Sequence, residues 1–190
     1  APFAGHAAGW NAAGLASVLL GVLALALLAR RFTDSRLAVL CAALVAAAFP
    51  YRWIGLFTGS PTGFAAAFPP LLFYGLDRAV RDRSPAGGAL AGLALFCAYA
   101  TDMHTFYFSA LAAPAFAALA FCRAAPAPRA WPGEIRRLVL PLLPFALLAL
   151  AAVGVSQWMS QHLADSVMAG GRTLAEVCQY SPPAIGLVSS

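Results

Sequence analysis

Six apolar runs, separated by short polar segments, dominate this 190-residue sequence. They lie at about 10–29, 37–50, 62–78, 85–101, 103–122 and 137–158. A helix rises about 1.5 Å per residue, so most of these runs can cross the roughly 30 Å hydrocarbon core of a bilayer. The second run is short and needs a tilt or flanking turns to cross. We therefore predict an all-α fold, a polytopic transmembrane helix bundle of about six spans over residues 1–160.

Local signals indicate where these helices begin, break and pack. Ser84 followed by Pro85 is typical of an N-cap and a first helical turn. The Pro69-Pro70 pair lies inside the third run and should kink or break its helix. Gly88 and Gly92 have the spacing that lets two helices approach closely. Residues 51–61 are predicted to form a polar loop between the second and third runs.

The composition supports a membrane location. Apolar residues make up 62% of the chain and charged residues 10%, so a soluble fold of this size could not bury all the apolar surface. Lipid is therefore an expected partner. The net charge is +5, but the arginines lie at the ends of apolar runs and form no continuous basic face. We therefore expect no nucleic-acid partner.

The arginines predict the orientation of the bundle. Ten of the twelve lie in alternate connections, and the positive-inside rule makes that side cytoplasmic. These ten are Arg30, Arg31, Arg36, Arg78, Arg81, Arg83, Arg123, Arg129, Arg136 and Arg137. Both ends of the chain then face outward, and residues 161–190 are expected to start an extracytoplasmic region.

The first outward loop contains Arg52 between two aromatic residues, Tyr51 and Trp53. A guanidinium at the outer interface could hold the phosphates of a lipid-linked substrate through bidentate hydrogen bonds. The same three residues could instead form an ordinary interfacial anchor. Both interpretations remain open for Arg52, Tyr51 and Trp53 as substrate-binding candidates.

The second outward loop is very tight and contains Asp102 and His104. Asp102 could orient an acceptor hydroxyl, act as a base or help to hold a divalent cation, and His104 could share that work. Alternatively, Asp102 caps the fifth helix and His104 lies at the wet interface. An Asp-x-His pair without further ligands is a weak metal signal, so we predict no metal site.

Several segments, taken in order, resemble bacterial multi-pass membrane proteins of the GT-C glycosyltransferase type, including the YfhO-like and related hypothetical membrane proteins. The segments are Asn11 at the start of the first helix, its end at 27–33, and then 48–53, 68–71, 75–79, 91–94, 172–177 and 180–182. They cover nearly the whole chain. They are helix and loop boundaries, however, and contain no catalytic signature.

The resemblance implies transfer of a sugar from a polyprenyl-phosphate donor to a cell-envelope acceptor, at the outer face of the bacterial inner membrane. The usual catalytic acid of such enzymes lies in their first outward loop, and we expect this chain to be a fragment that begins after it. Two other classes remain open. A transporter or flippase of lipid-linked substrates would need polar groups inside its spans, and a membrane scaffold would need no active site at all.

Overall fold

The computed structural model describes residues 5–125 and 128–162, which are 89% helical and contain no strand. The helices are α1 (Gly5–Arg30), α2 (Arg36–Ala48), α3 (Pro50–Phe57), α4 (Thr62–Ala65), α5 (Phe68–Arg81), α6 (Pro85–Thr101), α7 (Met103–Ala124) and α8 (Trp131–His162), with a 3₁₀ turn at Pro128–Ala130. The all-α prediction is confirmed for this part of the chain. Residues 163–190, where we predict an extracytoplasmic segment, lie outside the described residues.

Within residues 5–125 and 128–162, four helical stretches are long and apolar enough to cross a membrane. They are Ala8–Arg30, Arg36–Phe57, Met103–Ala124 and Trp131–Met159. At most 28% of the most apolar window of each is buried within the protein. Large apolar side chains such as Phe57 and Leu111 are exposed on these stretches. Pro85–Thr101 is apolar but shorter, and the predicted total of six spans remains a prediction.

The prediction of a loop at residues 51–61 is wrong for most of its length, because Pro50–Phe57 forms helix α3. Phe49 leaves the helical conformation and Pro50 starts a new helix. The first helical residue needs no N–H partner, and the proline ring presets the backbone angle, so proline suits this position. The non-helical connection shrinks to the segment between Phe57 and Thr62, where Gly59 has φ +74°.

The predicted break at Pro69-Pro70 is confirmed. The third apolar run is divided into α4 and α5, and the prolines lie in the first turn of α5. The predicted N-cap is confirmed as well, because the Ser84 hydroxyl accepts a hydrogen bond of 3.2 Å from the Gly87 N–H. Both signals are local, which is why the sequence alone identifies them.

Helix α5 lies at the centre of the packing and contacts α1, α6 and α7. The core is made of small and branched apolar side chains: Leu72, Leu76, Ala91, Ala94, Leu95 and Ala113. Glycines bring the backbones together, since a Cβ on Gly75 would lie only 2.6 Å from the Ala91 nitrogen. A Cβ on Gly92 would lie 2.8 Å from Leu148 Cβ, so the predicted small-residue face of α6 packs on α8.

The chain divides into two compact units, Ala1–Ala152 and Val153–Ser190. The first unit contains helices α1 to α7 and most of α8. The structure describes only the last turns of α8 in the second unit. All the candidate functional residues lie in the first unit.

Candidate functional site

Asp102 joins α6 to α7 and caps the second of these helices. Its backbone is extended (φ −155°, ψ 116°), and its carboxylate accepts hydrogen bonds from the Thr105 N–H at 2.9 Å and the Thr105 hydroxyl at 2.6 Å. Both bonds use Oδ2. The capping interpretation of Asp102 is therefore confirmed, and the second carboxylate oxygen is free of that task.

The second oxygen, Oδ1, faces two other polar groups. The Thr62 hydroxyl donates to it at 3.4 Å, and His104 Nδ1 lies 3.7 Å away. The His104 side chain is 88% exposed, whereas that of Asp102 is only 11% exposed. Thr62 is forty residues away in sequence, so the folded bundle brings this hydroxyl to the carboxylate.

The environment of Asp102 favours its charged form. Burial alone would raise the pKa of Asp102, but the hydrogen bonds from Thr105, together with His104 and the Thr62 hydroxyl, outweigh burial and lower the pKa. The carboxylate is therefore ionised at neutral pH. An ionised carboxylate with a lowered pKa is a good hydrogen-bond acceptor and a weak proton acceptor, so it is better suited to orienting a hydroxyl than to deprotonating one.

Asp102 and His104 line a cavity of about 550 Å³, which we call the Asp102 cavity. Its polar lining residues are Tyr51, Thr62, Asp102, His104, Thr105 and Ser109. The other lining side chains are apolar and include Phe49, Pro69, Phe73 and Phe108. A few polar groups among apolar walls are typical of a small-molecule site.

Arg52 lies inside the bundle, although the sequence places it in a predicted outward loop. Its side chain on α3 is buried, and Nη1 donates to the carbonyls of Val18 and Ala46 at 3.4 Å each. Pro50 has no N–H to offer the Ala46 carbonyl four residues earlier, so Arg52 supplies a donor where α2 ends. Arg52 thus bridges α1 and the end of α2.

Arg52 lines a second cavity of about 300 Å³, which we call the Arg52 cavity. Four residues line both this cavity and the Asp102 cavity: Phe49, Ala66, Pro69 and Phe73. The two cavities are therefore neighbours that share walls from the end of α2 and the start of α5.

The two aromatic neighbours of Arg52 have different surroundings. Tyr51 is exposed and lines the Asp102 cavity. Trp53 lines neither of the two cavities; its indole donates to the Ala47 carbonyl at 2.7 Å, and its ring stacks on Phe57. The structure thus brings Tyr51, Asp102 and His104 together, places Arg52 beside them, and separates Trp53 from them.

Sequence reasoning missed a cluster of charged residues at the ends of α1 and α5. Asp77 is fully buried and accepts from Arg31 Nε at 2.5 Å and from Arg81 Nη1 at 3.4 Å. Asp82 accepts from Arg31 Nη2 at 2.6 Å. The hydrogen bond to Asp82, together with Asp77, raises the pKa of Arg31 despite its partial burial. The four-residue spacing of Asp77 and Arg81 on one helix could be read from the sequence. The ion pair between Asp77 and Arg31 could not, because the two residues lie far apart in the chain.

Metal-ligating side chains are not clustered in the described part of the chain. Within residues 5–125 and 128–162, no group of three or more His, Cys, Asp or Glu side chains could hold an ion. Asp102 and His104 supply only two neighbouring groups, so a divalent cation there would need further ligands from its substrate or from water.

Comparison with protein-family models, with curated proteins and with solved structures finds no match for this chain. The resemblance to GT-C glycosyltransferases therefore remains a prediction from sequence.

Proposed function

We propose that this chain is part of an integral membrane glycosyltransferase of the GT-C type. It would transfer a sugar from a polyprenyl-phosphate donor to an acceptor of the cell envelope. The observation that carries the proposal is the Asp102 cavity, where an ionised carboxylate meets apolar walls. Such a lining suits a molecule with a polar head and an apolar chain.

In the proposed reaction, Asp102 orients the acceptor and His104 receives a proton. The acceptor hydroxyl donates a hydrogen bond to Oδ1 of Asp102, because Oδ2 is occupied by Thr105. The hydroxyl oxygen attacks the anomeric carbon of the sugar, and the bond from that carbon to the phosphate oxygen breaks. The polyprenyl phosphate leaves with the electron pair. The proton of the hydroxyl passes along its hydrogen bond to Oδ1 of Asp102 and from there to His104, whose Nδ1 lies 3.7 Å from that oxygen.

The proposal includes a position in the membrane. We propose six crossings of the bacterial inner membrane, with Asp102 and the predicted segment 161–190 on the outer side and the arginine-rich connections on the cytoplasmic side. Four helical stretches of sufficient length and apolar character support a membrane location. The arginine distribution supports the orientation.

The test is transfer by the full-length protein in proteoliposomes supplied with a polyprenyl-phosphate-linked sugar. Asp102→Asn keeps an oxygen that can cap α7 but removes the charge. We expect normal abundance and a loss of transfer of about 10²-fold or more. Ser84→Ala is the matched control, because it removes the N-cap of α6 and does not line the Asp102 cavity. Retained transfer in Asp102→Asn would mean that Asp102 is a helix cap alone.

One observation favours a second candidate, a transporter or flippase of lipid-linked substrates. Arg52 is a buried ionisable residue between apolar helices, and such residues often mark substrate pathways. The same proteoliposomes separate the two candidates. A flippase moves the labelled donor between leaflets without consuming it, whereas a transferase releases polyprenyl phosphate. A membrane scaffold would do neither.

A further inference from the structure

Within the described part of the chain, the Arg52 guanidinium is buried and has no anionic partner. The residue is only 3% exposed, and its Nε has no hydrogen-bond partner. Among the described residues, no Asp or Glu forms an ion pair with it. Its two carbonyl acceptors lie at 3.4 Å, which is long for a bond from a charged donor.

This arrangement is incomplete as a purely structural one. Buried charges in proteins are normally paired with an opposite charge, and in membrane spans they mark pathways for ions or substrates. Carbonyl oxygens carry only partial negative charge, so Val18 and Ala46 satisfy hydrogen bonds without neutralising the guanidinium. The structure also leaves space beside it, because Arg52 lines a cavity of about 300 Å³.

We propose that the Arg52 cavity is a binding site for a phosphate group. A guanidinium presents its N–H groups as a planar fork that matches two oxygens of a phosphate. The cavity walls around it are apolar and include Leu25, Leu28 and Phe73. Such walls favour a phosphate ester with an apolar chain over a free, strongly hydrated phosphate. The proposal concerns binding alone and does not depend on the transfer reaction proposed above.

The position of the guanidinium depends on Gly21 in α1. A Cβ at this position would lie 2.7 Å from Nη1 and 2.8 Å from Cζ of Arg52. Gly21→Ala should therefore displace the guanidinium while its charge remains in the chain. Gly133→Ala is the matched control, because a Cβ there meets nothing within 4 Å. Comparing Gly21→Ala with Gly133→Ala tests whether binding depends on the position of the guanidinium, because both variants keep its charge.

The experiment measures binding to the full chain in nanodiscs of zwitterionic lipid by isothermal titration calorimetry. The probes are geranyl phosphate, geraniol and inorganic phosphate. We expect geranyl phosphate to bind the wild type, and its affinity to fall about tenfold or more in Arg52→Gln, which loses the charge-assisted bonds. Gly21→Ala should weaken binding similarly, whereas Gly133→Ala should not. Geraniol should bind weakly and equally to all variants.

Inorganic phosphate distinguishes the two sources of the anion. If it binds as tightly as geranyl phosphate and with the same dependence on Arg52, the site takes free phosphate. If geranyl phosphate binds more tightly, the site takes a lipid phosphate.

Arg52→Lys covers the case in which Arg52→Gln fails to fold, because lysine keeps a charge and a donor for the carbonyls but not the planar fork. Its affinity should lie between those of the wild type and Gly21→Ala. Equal binding of geranyl phosphate by the wild type, Arg52→Lys and Gly21→Ala would overturn the proposal. Absence of binding by the wild type for both phosphate probes would overturn it as well.

Discussion

Two aspartates on one arginine provide a direct test of how burial changes the contribution of an ion pair. Asp77 and Asp82 accept from Arg31 at nearly the same distance, 2.5 and 2.6 Å. The Asp77 side chain is 1% exposed and that of Asp82 is 40% exposed. The two aspartates therefore share Arg31 but differ in burial, and each also faces a second arginine, Arg81 for Asp77 at 3.4 Å and Arg78 for Asp82 at 4.0 Å.

The expected loss of folding stability differs between Asp77→Asn and Asp82→Asn. Asp77→Asn removes the charge that faces both Arg31 and Arg81, and breaking a buried pair typically costs about 3–5 kcal/mol. The two arginine side chains are 24% and 30% exposed, so water compensates in part. We expect about 3 kcal/mol of lost stability, the lower end of that range. Asp82→Asn should cost about 0–1 kcal/mol, as for a surface pair.

The assay is reversible unfolding in mixed micelles, with the denaturing detergent as the variable and tryptophan fluorescence as the signal. The double variant Asp77→Asn with Arg31→Leu completes a cycle that isolates the coupling of this pair. It should be more stable than the sum of the two single losses predicts. Equal losses for Asp77→Asn and Asp82→Asn, or a loss below about 1 kcal/mol for Asp77→Asn, would refute the argument from burial.

Three further predictions concern topology, packing and pH. In a cysteine-free background, a cysteine placed at Ser60 should react with an impermeant thiol reagent added outside intact cells. A cysteine placed at Ser84 should not react, and its labelling would reverse the predicted orientation. Gly75→Ala should cost about 1–3 kcal/mol in micelle unfolding, because its Cβ would meet the α6 backbone, whereas Gly133→Ala should cost nothing measurable. The folded-state pKa of Asp102 is lowered, so the stability that the wild type gains over Asp102→Asn should be present above about pH 4 and disappear as the pH falls further. Unfolding is measured for both proteins over a series of acidic pH values. A stability difference between wild type and Asp102→Asn that does not change with pH would contradict this prediction.

The sequence by itself determined the class of the fold and the ends of several helices. Apolar run length identified most of the helical segments but not α3, and the predicted run at 85–101 coincides with α6. Ser84 and Asp102 were recognisable as N-caps because capping depends on a side chain and an N–H three residues later in the same segment. The break at Pro69-Pro70 was recognisable because proline acts on its own backbone.

Proline also explains the error at residues 51–61. Pro50 can end one helix or start the next, and the sequence alone does not separate the two roles. The structure uses it to start α3, and this helix points Arg52 into the bundle instead of toward water.

The tertiary structure alone decided which side chains share a site. Asp77 and Arg31 are 46 residues apart, and Thr62 and Asp102 are 40 residues apart, so no local pattern announces either contact. The direction of a side chain around a helix depends on which neighbour the helix packs against. Gly21 illustrates this, because it is the missing Cβ on α1 that leaves room for a guanidinium from α3. Contacts of this kind arise from packing between helices, and packing is decided only when the whole bundle assembles.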